Sequence, residues 1–369
     1  MKKLMVGMLV LAVSVSASCF AAEEATPKAD ESAAKSVASA KLPVLAGFGN
    51  ITLDGLLQVW FVHDPTTEFS KGTTDSSTFR LRRGDVKISG DIVPEMGFNM
   101  MFDIAKAIKV STTTNTTGAV TGLTPDQSST YLQDMTVNLK LAKIIPCLDS
   151  VAPKMEMWIG QQKPGITEEG PRPSSNLDFP ERSLLARTYA DKRDVGLLIK
   201  DSHQYVDYTL GLFNDNGMNT PDNNNNKTVA GHVTLKPCSA FKFGASGSTG
   251  ARGLNEAAST RYGCDAQVVE GPAGLKAEYL QGREGTADFT GYYVQPSCYI
   301  VADKLQLIGR YDSYDPNTDV NKNTIQEISG GLNYFFSKHN SKIQLDYIRR
   351  NNEAATDEDI VMVCFQAMY

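Results

Sequence analysis

Beyond its first 21 residues this 369-residue sequence has no long apolar run. A helical membrane bundle needs several stretches of roughly 20 apolar residues, so that class is excluded. Glycine and proline, 30 and 16, are too few for a collagen-like or wholly disordered chain. Histidine is scarce: His63, His203, His232 and His339 are all there are. His232 shares its segment with Thr234, no serine partner is apparent there, and a lone strand histidine of this kind reads as structural. No CxxC, HExxH, GxSxG, P-loop or GxGxxG in a fitting context is present, so the chain reads as no enzyme, with no cofactor and no metal site. Apart from Cys19, the cysteines Cys147, Cys238, Cys264, Cys298 and Cys364 are odd in number and widely spaced. That fits neither a disulfide framework nor a zinc pattern, and leaves buried or turn-located free thiols as the reading.

The single apolar run names a compartment. Lys2 and Lys3 precede the uncharged stretch Leu4 to Val15, and small residues follow around Cys19–Phe20–Ala21. Residues 1–21 therefore read as a secretory signal peptide. The alternative, a lipoprotein cleaved before Cys19, lacks the usual leucine three positions earlier. Loss of the two lysines leaves 34 basic residues against 42 acidic, a net charge of −8. An acidic exported chain is a poor partner for nucleic acid. Residues 22–48, rich in Ala, Glu, Lys and Ser, read as a periplasmic linker.

From residue 49 the texture changes to segments of about ten residues with alternating polarity. In 97–105, Phe98, Met100, Phe102 and Ile104 share one face, with Asn99 and Asp103 on the other. In 341–349, Ile343, Leu345 and Tyr347 oppose Lys342, Gln344 and Asp346. Sixteen strands are expected: 51–62, 78–92, 97–107, 130–142, 153–162, 193–200, 205–214, 228–237, 240–248, 259–270, 274–283, 289–301, 304–314, 324–337, 341–350 and 359–369. The gaps between them alternate long and short, with 143–152 an exception. That order describes an all-β, closed antiparallel transmembrane β-barrel over 49–369, with short periplasmic turns and long extracellular loops. Strands of 9–11 residues suit the hydrocarbon layer, and only a closed sheet leaves no unpaired edge in lipid. The chain ends within an alternating strand, with Val361, Val363, Phe365, Ala367 and Tyr369 on one face.

Strand 78–92 (TFRLRRGDVKISGDI) changes parity: Phe79 and Leu81 face one way, Val86 and Ile88 the other. One extra residue near Arg82–Gly84 restores a common outer face, so a β-bulge is expected there. Arg80, Arg82 or Arg83, Asp85 and Lys87 then point inward, because a charge facing lipid at mid-depth costs roughly 2–4 kcal/mol. Two readings stay open. The row is either a rung that attracts anions or a salt-bridge network with Asp85 and other carboxylates. The longest gap, 163–192, carries Lys163, Arg172, Arg182, Arg187 and Lys192 against Glu168, Glu169, Asp178, Glu181 and Asp191. A gap this long is expected to be functional: a constriction loop folded into the bore, or else an extracellular cap.

The stretch FRLRRGDVKISGDI, followed by GFNMMFDIAKA, resembles the Arg-Arg hairpin that opens barrels of the phosphate-selective porin O/P family. The segment WIGQQKPGITEEGPRPSSNLDFPERSLLA is similar to that family's constriction segment, which reads GQ-x-K-x-P-x-x-x-E-E, then S-S, then F-x-E-R-S. KRDVGLLI, YTLGLFNDNGMNTPDNNNN, GGLNYFF and KIQLDY match further hairpins, in order over most of 78–369. The resemblance implies a sixteen-stranded, homotrimeric channel of the bacterial outer membrane. In such channels arginines and lysines build a ladder and a central binding zone. Arg80, Arg82, Arg83, Lys163, Arg182 and Arg193 occupy the matching motifs here, with Lys87 beside them and Glu168, Glu169 and Glu181 as the acidic side of the constriction.

The expected function is a water-filled porin for passive diffusion of small hydrophilic solutes, leaning to anions such as phosphate. The alternative is a non-conducting barrel that anchors or adheres through its long loops. Expected partners are outer-membrane lipid, small ions and two further copies of the chain.

Overall fold

A computed structural model describes residues 41–42, 50–64, 76–106, 108–114, 120–127 and 130–369. The expected signal peptide lies outside the described residues, as does the linker apart from Lys41–Leu42. Those two residues pair antiparallel with Thr52 and Ile51.

Sixteen antiparallel strands form one closed sheet: β1 (Ile51–Asp64), β2 (Ser76–Val93), β3 (Met96–Asp103), β4 (Leu132–Lys140), β5 (Glu156–Gln162), β6 (Asp194–Ser202), β7 (Val206–Phe213), β8 (Thr228–Cys238), β9 (Phe241–Arg252), β10 (Ala257–Glu270), β11 (Ala273–Glu284), β12 (Ala287–Val301), β13 (Leu305–Asp315), β14 (Ile325–Ser337), β15 (Ser341–Asn352) and β16 (Glu358–Met368). Each pairs with its neighbours in sequence, and β16 pairs with β1, Phe365 opposite Val59, to close the ring. Tyr369 continues the seam, exchanging two backbone hydrogen bonds with Gly55. Closure satisfies every strand's backbone donors across the sheet, as lipid demands.

The side chains invert the pattern of a soluble protein. On β13–β15 the positions Arg310, Asp312, Glu327, Asn333, Lys342, Gln344 and Asp346 are buried inside, while Leu307, Ile328, Tyr334, Leu345 and Tyr347 are exposed outside. A water-soluble sandwich of two-faced strands would turn the same alternation the other way. With polar groups inside and an apolar outer surface, this is a barrel whose surroundings are hydrocarbon.

The bulge expected in β2 is present. Gln58 pairs with Arg83 and Val59 with Leu81, so Arg82 is the extra residue. Phe79 and Leu81 stand 71% and 64% exposed on the outer face, while Arg83 is buried inside. The expected strand 97–107 ends earlier, at Asp103. There the Asp103 carboxylate accepts the Gly84 N–H at 2.9 Å, and a 3-10 turn, Ile104–Lys106, follows. The gap expected as a loop over 108–129 holds a separate hairpin, Ile108–Thr114 paired with Val120–Gln127. Its first arm, IKVSTTT, is rich in β-branched residues, which favour an extended chain over an irregular one. The strand expected over 130–142 gives way after Lys140 to a helical turn, Leu141–Ile144. Cys147, in a 3-10 turn, and Cys364, buried, are free thiols as expected, whereas Cys264 and Cys298 are free but exposed on strands.

Candidate functional site

The segment between β5 and β6 enters the barrel and lies against its inner wall. Two apolar patches hold it. Ile166, Ala186 and Ala190 pack with Leu198, Phe213 and Ala230 of β6, β7 and β8. Leu184 and Leu185 pack with Leu280, Phe289 and Tyr314 of β11, β12 and β13. Gly291 of β12 makes room for this contact: a Cβ there would stand 2.8 Å from Leu185 Cδ2. Burying a leucine contributes about 1.5–3 kcal/mol, so these patches alone bias the segment inward. Tyr189 stacks on Phe289 with ring centroids 3.9 Å apart, and its hydroxyl lies 2.8 Å from that of Tyr314.

Polar contacts extend the attachment around the far wall. Glu278 of β11 accepts the backbone N–H groups of Glu168 and Glu169 at 3.1 and 3.2 Å. Arg310 of β13 donates to the carbonyls of Glu181 and Arg182 at 3.2 and 3.4 Å. Arg187 reaches Glu327 of β14 at 2.7 Å, and Arg350 of β15 meets the same carboxylate at 2.7 Å. From β11 through β16 to β2, then, the inner wall carries the loop.

The arginine pair of β2 completes this attachment. Arg82 Nη2 lies 2.6 Å from Glu181 Oε2, and Arg83 Nη2 lies 3.4 Å from Glu181 Oε1. Arg83 also donates to Gln58 at 2.6 Å. Burial pushes the Glu181 carboxyl up, but Arg83 and Arg82 outweigh it and hold it well below the usual range. The Arg82 and Arg80 guanidinium groups stand over the Trp60 ring, at 5.1 and 4.8 Å. Of the two readings left open by the sequence, the contacts favour a salt-bridge network, with Glu181 rather than Asp85 as its carboxylate.

Water-accessible space remains on the other side. An inner space of about 710 Å³ is bounded by residues of β1–β8, among them Asp85, Lys87, Asp134, Trp158 and Lys200, and by Lys163, Pro171 and Ser174–Asn176 of the loop. An outer space of about 500 Å³ is bounded by Tyr189, Lys192, Arg252, Arg261 and Glu284. Arg193 lines both. Its Nε donates to Asp134 Oδ1 at 2.7 Å, which fixes the guanidinium plane and leaves its two Nη groups for other acceptors. Lys163 is ion-paired with Asp191, which also takes Arg182 at 3.0 Å. Burial pushes the Lys163 ammonium down to about 7, against the pull of Asp191. Lys87 and Lys192 make no ion pair among the described residues. Lys200 sits 3.4 Å from the Trp158 ring centroid and 3.5 Å from Glu156.

The residues singled out from sequence thus divide. Lys87, Lys163 and Arg193 border open space. Arg80 and Arg82 lie against Trp60, while Arg83 is buried beneath the loop and Arg182 within it. Arg182 is fully enclosed, donating to the carbonyl of Glu169 at 3.3 Å and pairing with Asp191. Glu181 meets the arginine pair, Glu169 accepts the Ser183 N–H at 2.9 Å, and Glu168 pairs with Arg172. Arg252, Arg261 and Lys200, cations beside the open space, went unnoticed. They are single charges on ordinary alternating strands, with only their inward parity to mark them. His232, read as structural, is 2.7 Å from Asp265.

Residues 242–369, from β9 to the end, match the model of the family described as phosphate-selective porin O and P. The likeness read from sequence is borne out over those strands, while the arginine hairpin and the loop segment fall outside the matched part. The chain is similar in fold to OmpF of Salmonella typhi in complex with daunomycin, at 14% identity and TM-score 0.60, covering 88% of this chain and 99% of that one. It is similar to an anion-selective porin from Comamonas acidovorans, at 12% identity and TM-score 0.59, covering 86% and 99%. A third likeness is to in-vitro folded OmpT of Vibrio cholerae in a trimer form, at 10% identity and TM-score 0.52, covering 87% and 100%. No curated protein matches the chain.

Proposed function

We propose that this chain is an outer-membrane porin: a water-filled channel for passive diffusion of small hydrophilic solutes, with a preference for anions. The observation that carries the reading is the open space on both sides of Arg193, inside a barrel whose exterior is apolar. An anion moving between the two spaces passes a guanidinium held edge-on by Asp134, with Lys192 before it and Lys163 and Lys87 beyond. Such a path lowers the cost of partial dehydration for anions and raises it for cations. The net acidity of the chain does not oppose this, because much of the lumen's carboxylate is paired to cations that hold the loop. The family match supports phosphate among the solutes, and the structural neighbour in a trimer form supports three copies as the working assembly.

The loop over residues 163–192 acts here as the constriction, residues 1–21 as the removed export signal and 22–48 as the periplasmic linker. Fold and family both favour a channel over an enzyme. A sealed anchoring barrel is disfavoured by the two open spaces. Reconstitution in planar bilayers tests the reading. Stepwise conductance with a reversal potential displaced toward the anion value is expected, and phosphate at millimolar concentration should reduce chloride current. Cation-side reversal would remove the anion preference.

A further inference from the structure

Loop residues Ser175 to Asp178 cross a row of side chains that are all hydrogen-bond donors. Lys276 of β11 and Gln295 of β12 both reach Asp178 Oδ2, Gln295 at 2.9 Å. Asn333 of β14 and Gln344 of β15 both donate to the Asp178 carbonyl, at 2.8 and 2.6 Å. Lys342 donates to the Leu177 carbonyl, and Gln366 of β16 to that of Ser175 at 3.0 Å. Within the loop, Arg172 lies 3.7 Å from the Asp178 carboxylate. A single loop residue therefore collects donors from four strands. Asn333, Lys342 and Gln344 are almost wholly buried, so each would lose a hydrogen bond that water could not readily replace if the loop moved away, keeping only its wall-side contact with Gln306, His339 or Asn333. Such a row fits one object: a chain segment presenting carbonyls and a carboxylate.

The same stretch faces the open space on its other side, since Pro171, Pro173 and Ser174–Asn176 bound the inner space of about 710 Å³. Whatever holds Asp178 holds that boundary. We propose that Asp178 is the positioning residue of the bore: by engaging β11, β12, β14 and β15 it fixes the loop against that wall and so sets the width left along β3–β8. This rests on the channel reading given above. Asp178 touches no permeating ion; it acts through the segment just before it. Burial pushes its carboxyl up, while Lys276 and Arg172 outweigh burial and keep it below the usual carboxylate range.

The test compares wild type with Asp178→Asn in planar bilayers, and with the wall-side double substitution Lys276→Gln and Gln295→Leu, which leaves Asp178 in place. Heat-dependent gel migration reports folding of each. The pin predicts single-channel steps changed by about 1.5-fold or more, added open-state current noise, and entry of larger non-electrolyte polymers, in both variants. Noise and polymer cut-off separate a moved loop from a merely altered charge. Unchanged steps, noise and cut-off in a folded Asp178→Asn channel would overturn the proposal. If that variant does not fold, the wall-side pair decides in the same way. A folded wild type that never conducts would overturn the channel reading, and the positioning role with it.

Discussion

The barrel has two inner walls, and the same kinds of residue behave differently on each. Along β11–β16 and the upper part of β2, the cations Arg82, Arg83, Lys276, Arg310 and Lys342 touch the loop, through Glu181, Asp178 or its carbonyls. Along the rest of β2, β3–β8 and the loop's own ends, Lys87, Lys163, Arg193 and Lys200 border open space. An arginine facing a lumen is thus not by itself a pore residue. What matters is whether a carboxylate or a carbonyl already occupies its donors. The covered wall holds the middle of the loop, whose ends rest on β6–β8, and the cations left beside open space determine what an ion meets.

Substitutions on the two walls should separate these roles. The largest effect is expected on the covered wall. Glu181→Gln leaves Arg83 buried without its countercharge, and breaking a buried pair from one side costs about 3 kcal/mol at the lower end. Loss of the folded gel form at a lower temperature checks this. On the uncovered wall, Arg193→Gln is expected to lower the anion-to-cation permeability ratio about threefold or more, because it removes the cation common to both spaces. Arg82→Gln should move that ratio less than about 1.5-fold while increasing current noise. Equal effects of the two on selectivity would erase the distinction between the walls.

Smaller shifts sharpen it. Lys163 is protonated below about 7 and neutral above, because burial outweighs the pull of Asp191. The permeability ratio should therefore fall as pH rises through that value, and Lys163→Arg, charged throughout, should flatten the profile. Lys87→Met, at the inner space and without an ion pair, is expected to give the smallest decrease, under about 1.5-fold, in reversal-potential measurements.

Much of this was legible in the chain. All sixteen strands were, because each crosses the bilayer with one greasy and one wet face, and turn-rich gaps of alternating length separate them. The bulge at Arg82 was legible for the same reason, as a break in parity. The end of β3 was not, since it depends on the Asp103 carboxylate meeting Gly84 across two strands. The hairpin of Ile108–Thr114 with Val120–Gln127 fell in a stretch whose sequence marked no strand. The partners of the loop were the least visible. Gln295, Asn333, Gln344 and Gln366 look like any lumen amide, and they meet Asp178 and Ser175 from more than 100 positions away in sequence. Local pattern carries no record of such pairings. For that reason Arg82 and Arg83 looked like candidates for the permeation path, while their contact is Glu181.

The most direct test of this division is the reversal potential of single channels under a salt gradient, measured on wild type, Arg193→Gln and Arg82→Gln in one series. Discrete steps in all three, with the anion-side potential collapsing only in Arg193→Gln, are what two functionally distinct walls predict. Absence of steps from folded wild-type protein, or collapse in Arg82→Gln with Arg193→Gln unchanged, would contradict the account.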